Sequence, residues 1–298
     1  MPISKCGENT NSKRRELKQH GTTLFPAACY EDDLNLQPVP WHWHEEFEVI
    51  VIEQGSVHIN VGNERLHLKQ KEGIFINAGV LHSVSPFSER GDRLRSIVFH
   101  PRLVGGSLDS VFWQKLIQPI LQDSSFRYLR CNEAVSWQKE VIQCIETAWN
   151  SIVCDDEEYE NTVRYVMSRM MHILTSNHPN RQQPVSEQEK LLAERMKAML
   201  QYIEEHFMEE LSVEAIASSS AISHSVCLRC FHQVIGTTPM QYVKQYRIEK
   251  AAEWLLNTKK TAAAIGADCG FLDSSYFTKT FREMKGCTPV QYRRTHAK

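Results

Sequence analysis

The 298-residue chain lacks several features that define whole classes of protein. It has no apolar run near the ~20 residues that a membrane-spanning helix needs, and its polar N-terminus has no signal-peptide core. Its nine cysteines are scattered without the spacing of a disulfide framework, which is typical of a reducing compartment. It contains no Ser/His/Asp, Cys/His or phosphate-loop arrangement. These absences favour a cytoplasmic protein without a membrane partner, and they argue against most classes of enzyme.

Charge is unevenly distributed along the chain, although the formal net charge is only −2. From Leu211 to the C-terminus, 12 Lys and Arg residues stand against 6 Asp and Glu, whereas the remainder has 22 against 30. A basic C-terminal region on an otherwise acidic chain indicates that this end contacts a polyanion such as nucleic acid.

The last thirty residues predict two helices joined by a tight turn. Gly270 supplies the turn because glycine tolerates positive φ, Asp273 caps the next helix, and Gly286 ends it. One face of that helix is predicted to be apolar, through Tyr276, Phe277, Phe281 and Met284. The opposite face is predicted to be polar, basic and free of acidic residues, through Ser274, Ser275, Thr278, Lys279 and Arg282. A helix of this kind, entered through a tight turn, is typical of DNA recognition.

The same pattern occurs twice in the C-terminal region. Residues 216–242 align with residues 265–292, with Ser223 in the place of the Asp273 cap and one residue fewer in the first turn. Both copies end in Gly-x-Thr-Pro-x-Gln-Tyr, at Gly236 and at Gly286. We interpret this as an internal duplication that gives two helix-turn-helix units, over about 211–234 and 261–284.

Residues 189–298 resemble the AraC-type DNA-binding domain, which carries two helix-turn-helix units in one polypeptide. The resemblance rests on Gly-Phe-x-Asp-x-Ser-Tyr-Phe from Gly270 to Phe277, on Phe281, and on Gly-x-Thr-Pro-x-x-Tyr-Arg from Gly286 to Arg293. It implies a regulator that binds double-stranded promoter DNA, with RNA polymerase as a further partner. The predicted DNA-binding faces of the two recognition helices comprise His224, Ser225, Leu228, Arg229 and His232 in the first and Ser274, Ser275, Thr278 and Lys279 in the second. Arg229 is expected to be the main base reader, with Lys279 as its counterpart, and the resemblance implies that Ser225, Leu228, Ser275 and Thr278 also face bases. The cations better suited to phosphate are Arg282, Lys285, Arg293 and Arg294.

The N-terminal region predicts a small β-barrel. Residues 1–20 form a polar tail, and from Gly21 to about residue 105 short strand patterns alternate with glycine-containing turns. The strands are predicted at 47–52, 56–61, 65–68, 73–76 and 94–99. Closely spaced short strands of this kind indicate a barrel or jelly roll.

Within this barrel, His42, His44 and Glu48 resemble the first cupin motif, and Gly79-x-x-His82 resembles part of the second. In metal-dependent cupins the positions of His42, His44, Glu48 and His82 bind a divalent metal, and imidazole and carboxylate ligands suit such an ion. Leu36, Asn77 and Pro86 depart from the two motifs. Three interpretations stay open for the four side chains: a metal site, a polar pocket for a small effector beside Trp43, or a structural role.

Residues 106–175 are predicted to be helical, with one helix over 111–121 interrupted at Pro119 and others over 135–150 and 159–174. In proteins that this chain resembles, such helices pair two protomers. Simple capping of the barrel is the alternative. Residues 176–188 lack periodicity and contain two prolines, so we expect an interdomain linker before a helix over 187–206.

The sequence therefore predicts an α+β multidomain protein: an N-terminal cupin-like β-barrel with appended helices and a C-terminal all-α domain with two helix-turn-helix units. The expected function is that of a homodimeric transcription regulator, not an enzyme, controlled by a small-molecule effector in the barrel. The resemblance suggests a sugar as one candidate effector. The alternatives are a cupin-type metalloenzyme fused to a DNA-binding module, and a DNA-binding regulator without an effector.

Overall fold

The computed structural model describes residues 20–22, 24–88, 91–123, 125–154, 158–177 and 186–296. The described chain divides into two compact units, one running to Lys190 and the other starting at Leu191. Residues 1–19 of the expected tail and 178–185 of the expected linker lie outside the described residues. Among the helices that are described, none has the length and hydropathy to cross a bilayer.

The first unit contains two antiparallel β-sheets. Their strands are β1 Ala27–Asp33, β2 Val39–His42, β3 Phe47–Gln54, β4 Ser56–Val61, β5 Glu64–Lys69, β6 Gly73–Ile76, β7 His82–Pro86, β8 Arg93–Phe99 and β9 Tyr128–Cys131. One sheet has the strand order β1-β8-β3-β6-β9, and the other has the order β2-β7-β4-β5. This confirms the β-barrel class and the five predicted strands, and it adds β1, β2, β7 and β9.

The strand β3 is buried on both faces and therefore reads as an almost continuous apolar run. Ile50 and Ile52 point between the sheets, where they pack with Ile59 of β4 and other aliphatic side chains. Phe47 and Val49 belong instead to the core under the helices. Because side chains alternate along a strand, Glu48 lies on the same face as Ile50 and points between the sheets.

The helices of the first unit cover the five-stranded sheet. They are α1 Arg102–Gly105, α2 Gln118–Gln122, α3 Ser136–Val153 and α4 Tyr159–Asn177, with a π-helical segment Trp113–Ile117 directly before α2. The predicted interruption at Pro119 is thus a change of helix type, since the proline takes a first-turn position of α2. Apolar side chains of α3 and α4 share one core with the sheet. The described contacts therefore show capping of the barrel, and the pairing of protomers stays a prediction.

The described residues of the second unit form helices and no strand. The first of these helices, α5 Glu187–His206, begins just before the boundary between the units. The others are α6 Val213–Ser218, α7 His224–Val234, α8 Pro239–Asn257, α9 Ala262–Asp268, α10 Ser274–Lys285 and α11 Pro289–His296. The pairs α6–α7 and α9–α10 are the two predicted helix-turn-helix units, and α8 packs against both. The C-terminal all-α prediction is therefore confirmed.

Equivalent hydrogen bonds close the two helix-turn-helix turns. In the first, the amide of Ile222 donates to the carbonyl of Ala217 at 3.2 Å, and in the second, that of Phe271 donates to Gly266 at 3.0 Å. Gly270 has a φ of 81°, as predicted for its turn.

The predicted helix caps of the second repeat are present. Asp273 accepts a hydrogen bond from the amide of Tyr276 at 2.6 Å. Thr288 and Gln291 bond reciprocally, at 3.0 and 3.3 Å, in a capping box at the start of the next helix. Ser223 begins α7 as predicted, but its side chain makes no capping hydrogen bond.

Candidate functional sites

The outer face of α10 holds the predicted DNA-facing residues. Its exposed members are Ser274, Ser275, Thr278, Lys279 and Arg282. Its buried face is narrower than predicted, because only Phe277, Thr280 and Phe281 are buried. Tyr276 is 52% exposed and Met284 is 40% exposed, so their assignment to the apolar face is wrong. Tyr276 lies about 100° around the helix from Phe277, and Met284 lies in the last turn, where fewer neighbours cover it.

Along α10 the exposed residues line a shallow groove that also contains an acidic side chain. The groove is lined by Ser274, Ser275, Thr278, Lys279, Arg282, Glu283 and Thr288. The prediction of an acid-free face is therefore wrong, because Glu283 lies one turn from Lys279 and beside Arg282. A carboxylate there disfavours close approach of phosphate and can accept hydrogen bonds from a cytosine amino group.

The outer face of α7 presents residues at the equivalent positions of the first repeat. His224, Ser225, Arg229 and His232 are exposed, and Leu228 is half-buried. Nε2 of His224 lies 3.7 Å from a carboxylate oxygen of Glu214 in α6. Arg229 aligns with Lys279 of α10 in the internal duplication, and neither forms a salt bridge with another described residue.

Two cations that the sequence assigned to phosphate are engaged in the fold instead. The guanidinium of Arg293 donates to the backbone carbonyls of Leu255 at 2.8 Å and Thr258 at 3.3 Å, at the C-terminal end of α8. The ammonium group of Lys285 lies 2.5 Å from Glu249 of α8. These partners argue against phosphate contact by either side chain. Arg294 is exposed, and its contact with phosphate stays a prediction.

The four cupin-like side chains converge inside the barrel. His42 ends β2, His44 lies in the following connection, Glu48 is on β3 and His82 begins β7. All four are buried, and their candidate ligand atoms lie within 4.8 Å of one another. One carboxylate oxygen of Glu48 is 2.8 Å from Nε2 of His82 and 3.5 Å from Nε2 of His44.

Backbone carbonyls orient all three imidazole rings in the same way. Nδ1 of His42 is 2.9 Å from the carbonyl oxygen of Pro40. Nδ1 of His44 is 3.0 Å from the carbonyl oxygen of Glu46, and Nδ1 of His82 is 2.8 Å from that of Val80. A carbonyl oxygen only accepts hydrogen bonds, so each Nδ1 carries the proton. This fixes the tautomer and leaves Nε2 of each neutral ring as the nitrogen with a lone pair.

The carboxyl group of Glu48 is held ionised by its neighbours. Burial alone would raise its pKa, but hydrogen bonds from His44 and His82 and their positive charge outweigh burial and hold the pKa well below its usual range. An ionised carboxylate in a buried setting needs a cation beside it. Within this cluster, that cation is either a second proton on an imidazole or a bound metal ion.

A small cavity adjoins the cluster. Its volume is about 20 Å³, and its lining includes His42, Glu48 and His82 together with His20 and Tyr30. Nδ1 of His20 lies 2.8 Å from the hydroxyl group of Tyr30. Neither residue was predicted as part of a site, because His20 falls in the expected tail and Tyr30 lies on β1, which was not predicted. Trp43 is not among the residues that line this cavity, and its expected place beside an effector stays a prediction.

Family models match both parts of the chain. Residues 25–133 match an AraC-like ligand binding domain, and residues 216–295 match a helix-turn-helix domain. The chain is 26% identical over 286 residues to the uncharacterized HTH-type transcriptional regulator YdeC of Bacillus subtilis (strain 168), covering 95% of this chain and 97% of that protein. It is 23% identical over 283 residues to the HTH-type transcriptional activator RhaS of Escherichia coli O81 (strain ED1a), covering 92% of this chain and 96% of that protein.

A solved structure also resembles part of the chain. It is the crystal structure of a transcriptional regulator with an AraC-type DNA-binding domain from Chromobacterium violaceum, with 30% sequence identity and a TM-score of 0.34. The likeness covers 35% of this chain and 93% of that chain.

Proposed function

Because this chain belongs to the AraC family of DNA-binding transcription regulators and has that family's ligand-binding domain, we propose that a small ligand in the β-barrel controls promoter binding by α7 and α10. One observation carries the proposal. The two helix-turn-helix units of the internal duplication present exposed polar and basic side chains at equivalent positions. Arg229 and Lys279 are the central pair, and a planar guanidinium at the first position suits guanine in the major groove.

Control by the barrel requires a change that passes from the ligand to the DNA-binding unit. We propose a homodimer that pairs through α3 and α4, on whose surface Tyr165 is 68% exposed. A ligand that binds one dimer geometry better than another would change the population that fits a promoter. The regulator would then act in the cytoplasm, with RNA polymerase as a partner at the promoter.

A catalytic role is not proposed for the barrel. The four-residue cluster is buried and adjoins a cavity of about 20 Å³, whereas pockets for small organic molecules measure roughly 300–1,000 Å³. A substrate therefore has no room beside the cluster in this conformation. This observation supports a regulator over a cupin-type metalloenzyme.

Selection of binding sites from random or genomic DNA tests the function. The full-length protein should enrich a defined sequence, and the Arg229→Ala/Lys279→Ala double variant should lose that enrichment. Lys139→Ala is a matched control, because it removes an exposed positive charge from α3 of the other unit. Enrichment that survives in the double variant would assign DNA reading to another surface.

A further inference from the structure

The buried cluster in the barrel has the arrangement of a metal site, and we propose that it binds one divalent first-row transition-metal ion through Nε2 of His42, His44 and His82 and the carboxylate of Glu48. This inference rests on the proposed function, because it identifies that ion as the ligand of the regulatory domain. The ligand class is thereby an inorganic cation, in place of the sugar that the family resemblance suggested.

Chemical complementarity is the first argument. The three rings each donate Nδ1–H to a backbone carbonyl, so three Nε2 atoms and the carboxyl group of Glu48 converge in one buried site. The four candidate ligand atoms lie within 4.8 Å of one another, as the ligands of a single ion do. Ligand atoms at the usual 2.0–2.1 Å from such an ion stand about 3–4 Å apart, which is close to the 2.8 and 3.5 Å separations around Glu48.

Preorganisation is the second argument. Histidines that bind metals usually donate the other ring nitrogen to a carbonyl or carboxylate, which fixes the tautomer and the ring direction. His42, His44 and His82 all do so through carbonyls only two residues away in sequence. The local backbone of each ligand therefore holds its ring in place before any ion arrives.

Size is the third argument. A cavity of about 20 Å³ holds one water molecule, and it lies directly against three of the four ligands. That space fits a water as an additional ligand of a metal ion. A sugar needs more than ten times as much room, so it could enter only after the core between the sheets had rearranged.

The donor set also selects the kind of ion. Three imidazoles and one carboxylate suit zinc, iron, cobalt, nickel or copper, whereas magnesium and calcium prefer oxygen ligands. His42 and His82 belong to the four-stranded sheet and Glu48 belongs to the five-stranded sheet. A bound ion would therefore join the two sheets and stabilise the barrel against unfolding.

The experiment uses the full-length protein, stripped with a chelator and then titrated with Zn²⁺, Co²⁺ or Mg²⁺. We expect one Zn²⁺ per chain by mass spectrometry of metals, a d–d absorption spectrum for Co²⁺, a higher thermal midpoint with Zn²⁺, and no response to Mg²⁺. Glu48→Gln keeps the shape of the side chain and should weaken Zn²⁺ binding by at least about 100-fold. Loss of a residue that only hydrogen-bonds to a metal ligand already weakens metal binding about 10- to 100-fold, and Glu48 is itself a proposed ligand.

A second pair of histidines provides the matched control. His58 and His67 face each other across β4 and β5, outside the cluster. The His58→Gln/His67→Gln variant should bind Zn²⁺ within about twofold of the wild type. Absence of a bound ion in the wild type, or equal binding by Glu48→Gln protein with an unchanged circular-dichroism spectrum, would overturn the metal site.

The same samples separate this inference from the proposed function. Affinity for the selected DNA should change at least about fivefold between the stripped and Zn²⁺-loaded wild type, and the size of that change should fall in Glu48→Gln. DNA binding that is identical with and without bound Zn²⁺ would overturn the ion as the regulatory ligand while leaving the DNA-binding function intact. Failure of every form to select DNA would contradict the proposed function, whatever the metal stoichiometry.

Discussion

A β-carbon built on Gly266 of α9 would lie 2.6 Å from a ring carbon of Phe277 on α10. The helices of the second helix-turn-helix unit therefore meet at a separation that only glycine permits. The equivalent positions of the first unit hold Ala217 and Cys227, both buried. One unit thus combines the smallest residue with a large ring, whereas the other has two small buried side chains at the equivalent positions.

Gly266→Ala should destabilise the second unit by about 1–3 kcal/mol, because the added methyl group forces the Phe277 ring or the helix to move. The measurement is hydrogen exchange of the amides in α9 and α10. Phe277→Leu alone should also destabilise, but in the double variant the two effects should sum to less than their separate values. Strict additivity would mean that the two positions do not share space.

Both turn positions have positive φ, so we expect glycine to be tolerated better than alanine at each of them. Ala221 has a φ of 51° in the first turn, where Gly270 has 81° in the second. Ala221→Gly should be neutral or stabilising by up to about 1 kcal/mol, since it relieves left-handed strain but adds freedom to the unfolded chain. Gly270→Ala should destabilise by more than about 2 kcal/mol, because its β-carbon would also meet the carbonyl of Phe207 at 2.6 Å. Urea unfolding of both variants compares them, and similar effects of the same sign would contradict this account.

The fold was largely predictable from local patterns. Repeated turn and cap residues indicated both helix-turn-helix units, and the alternation of apolar and polar residues indicated strands β4 and β5. Strand β7, with the sequence His-Ser-Val-Ser-Pro, was missed because it has only one aliphatic residue. Its place in the sheet depends on hydrogen bonding to β2 and β4. Such pairing between distant segments leaves little trace in a five-residue window.

The candidate sites were predictable only where residue spacing carried the information. The positions of His42, His44, Glu48 and His82 followed from the motif resemblance. The role of Arg293 did not, because its hydrogen-bond acceptor on Leu255 lies 38 positions earlier in the chain. An arginine on a helix surface looks the same in sequence whether it faces phosphate or a carbonyl.

Asp92 should make the stability of the barrel depend on acidity. Its buried carboxylate accepts hydrogen bonds from the amides of Ser56, Phe87 and Ser88 at 2.7–3.0 Å. Burial opposes ionisation, but these hydrogen bonds outweigh it and lower the pKa of Asp92. Its stabilisation is therefore complete above the unfolded-state pKa near ~4, and it is lost as the pH falls through the lower folded-state pKa.

Asp92→Asn should therefore cost about 2–4 kcal/mol at pH 7, and this difference from the wild type should shrink below pH ~4. Urea unfolding at a series of pH values measures it. A difference that stays constant down to pH 3 would show that the charge of Asp92 is unimportant.

Neighbouring arginines of α11 should separate folding from DNA binding. Arg293→Ala should destabilise the second unit by about 1–3 kcal/mol, because two carbonyls at the end of α8 lose their donor. Arg294→Ala should leave stability within about 0.5 kcal/mol, since its side chain is exposed, and should weaken DNA binding in a salt-dependent way. Thermal unfolding and a salt titration of DNA binding test the pair. The reverse assignment would follow if Arg293→Ala protein were fully stable but weak in binding.

The equivalent pair Arg229 and Lys279 should divide sequence reading between the two recognition helices. Both side chains are exposed, but a guanidinium forms a planar bidentate pair with guanine, whereas an ammonium group is a mobile point charge. Arg229→Ala should therefore cost about 1–3 kcal/mol on the selected site and relax specificity in one half-site. Lys279→Ala should weaken binding to all sequences more evenly and lower the salt dependence by about one unit. The measurement is a salt titration of each variant on the selected and on a scrambled DNA, with Lys139→Ala as the control. Equal losses on both DNAs for Arg229→Ala would show that Arg229 holds phosphate and does not read bases.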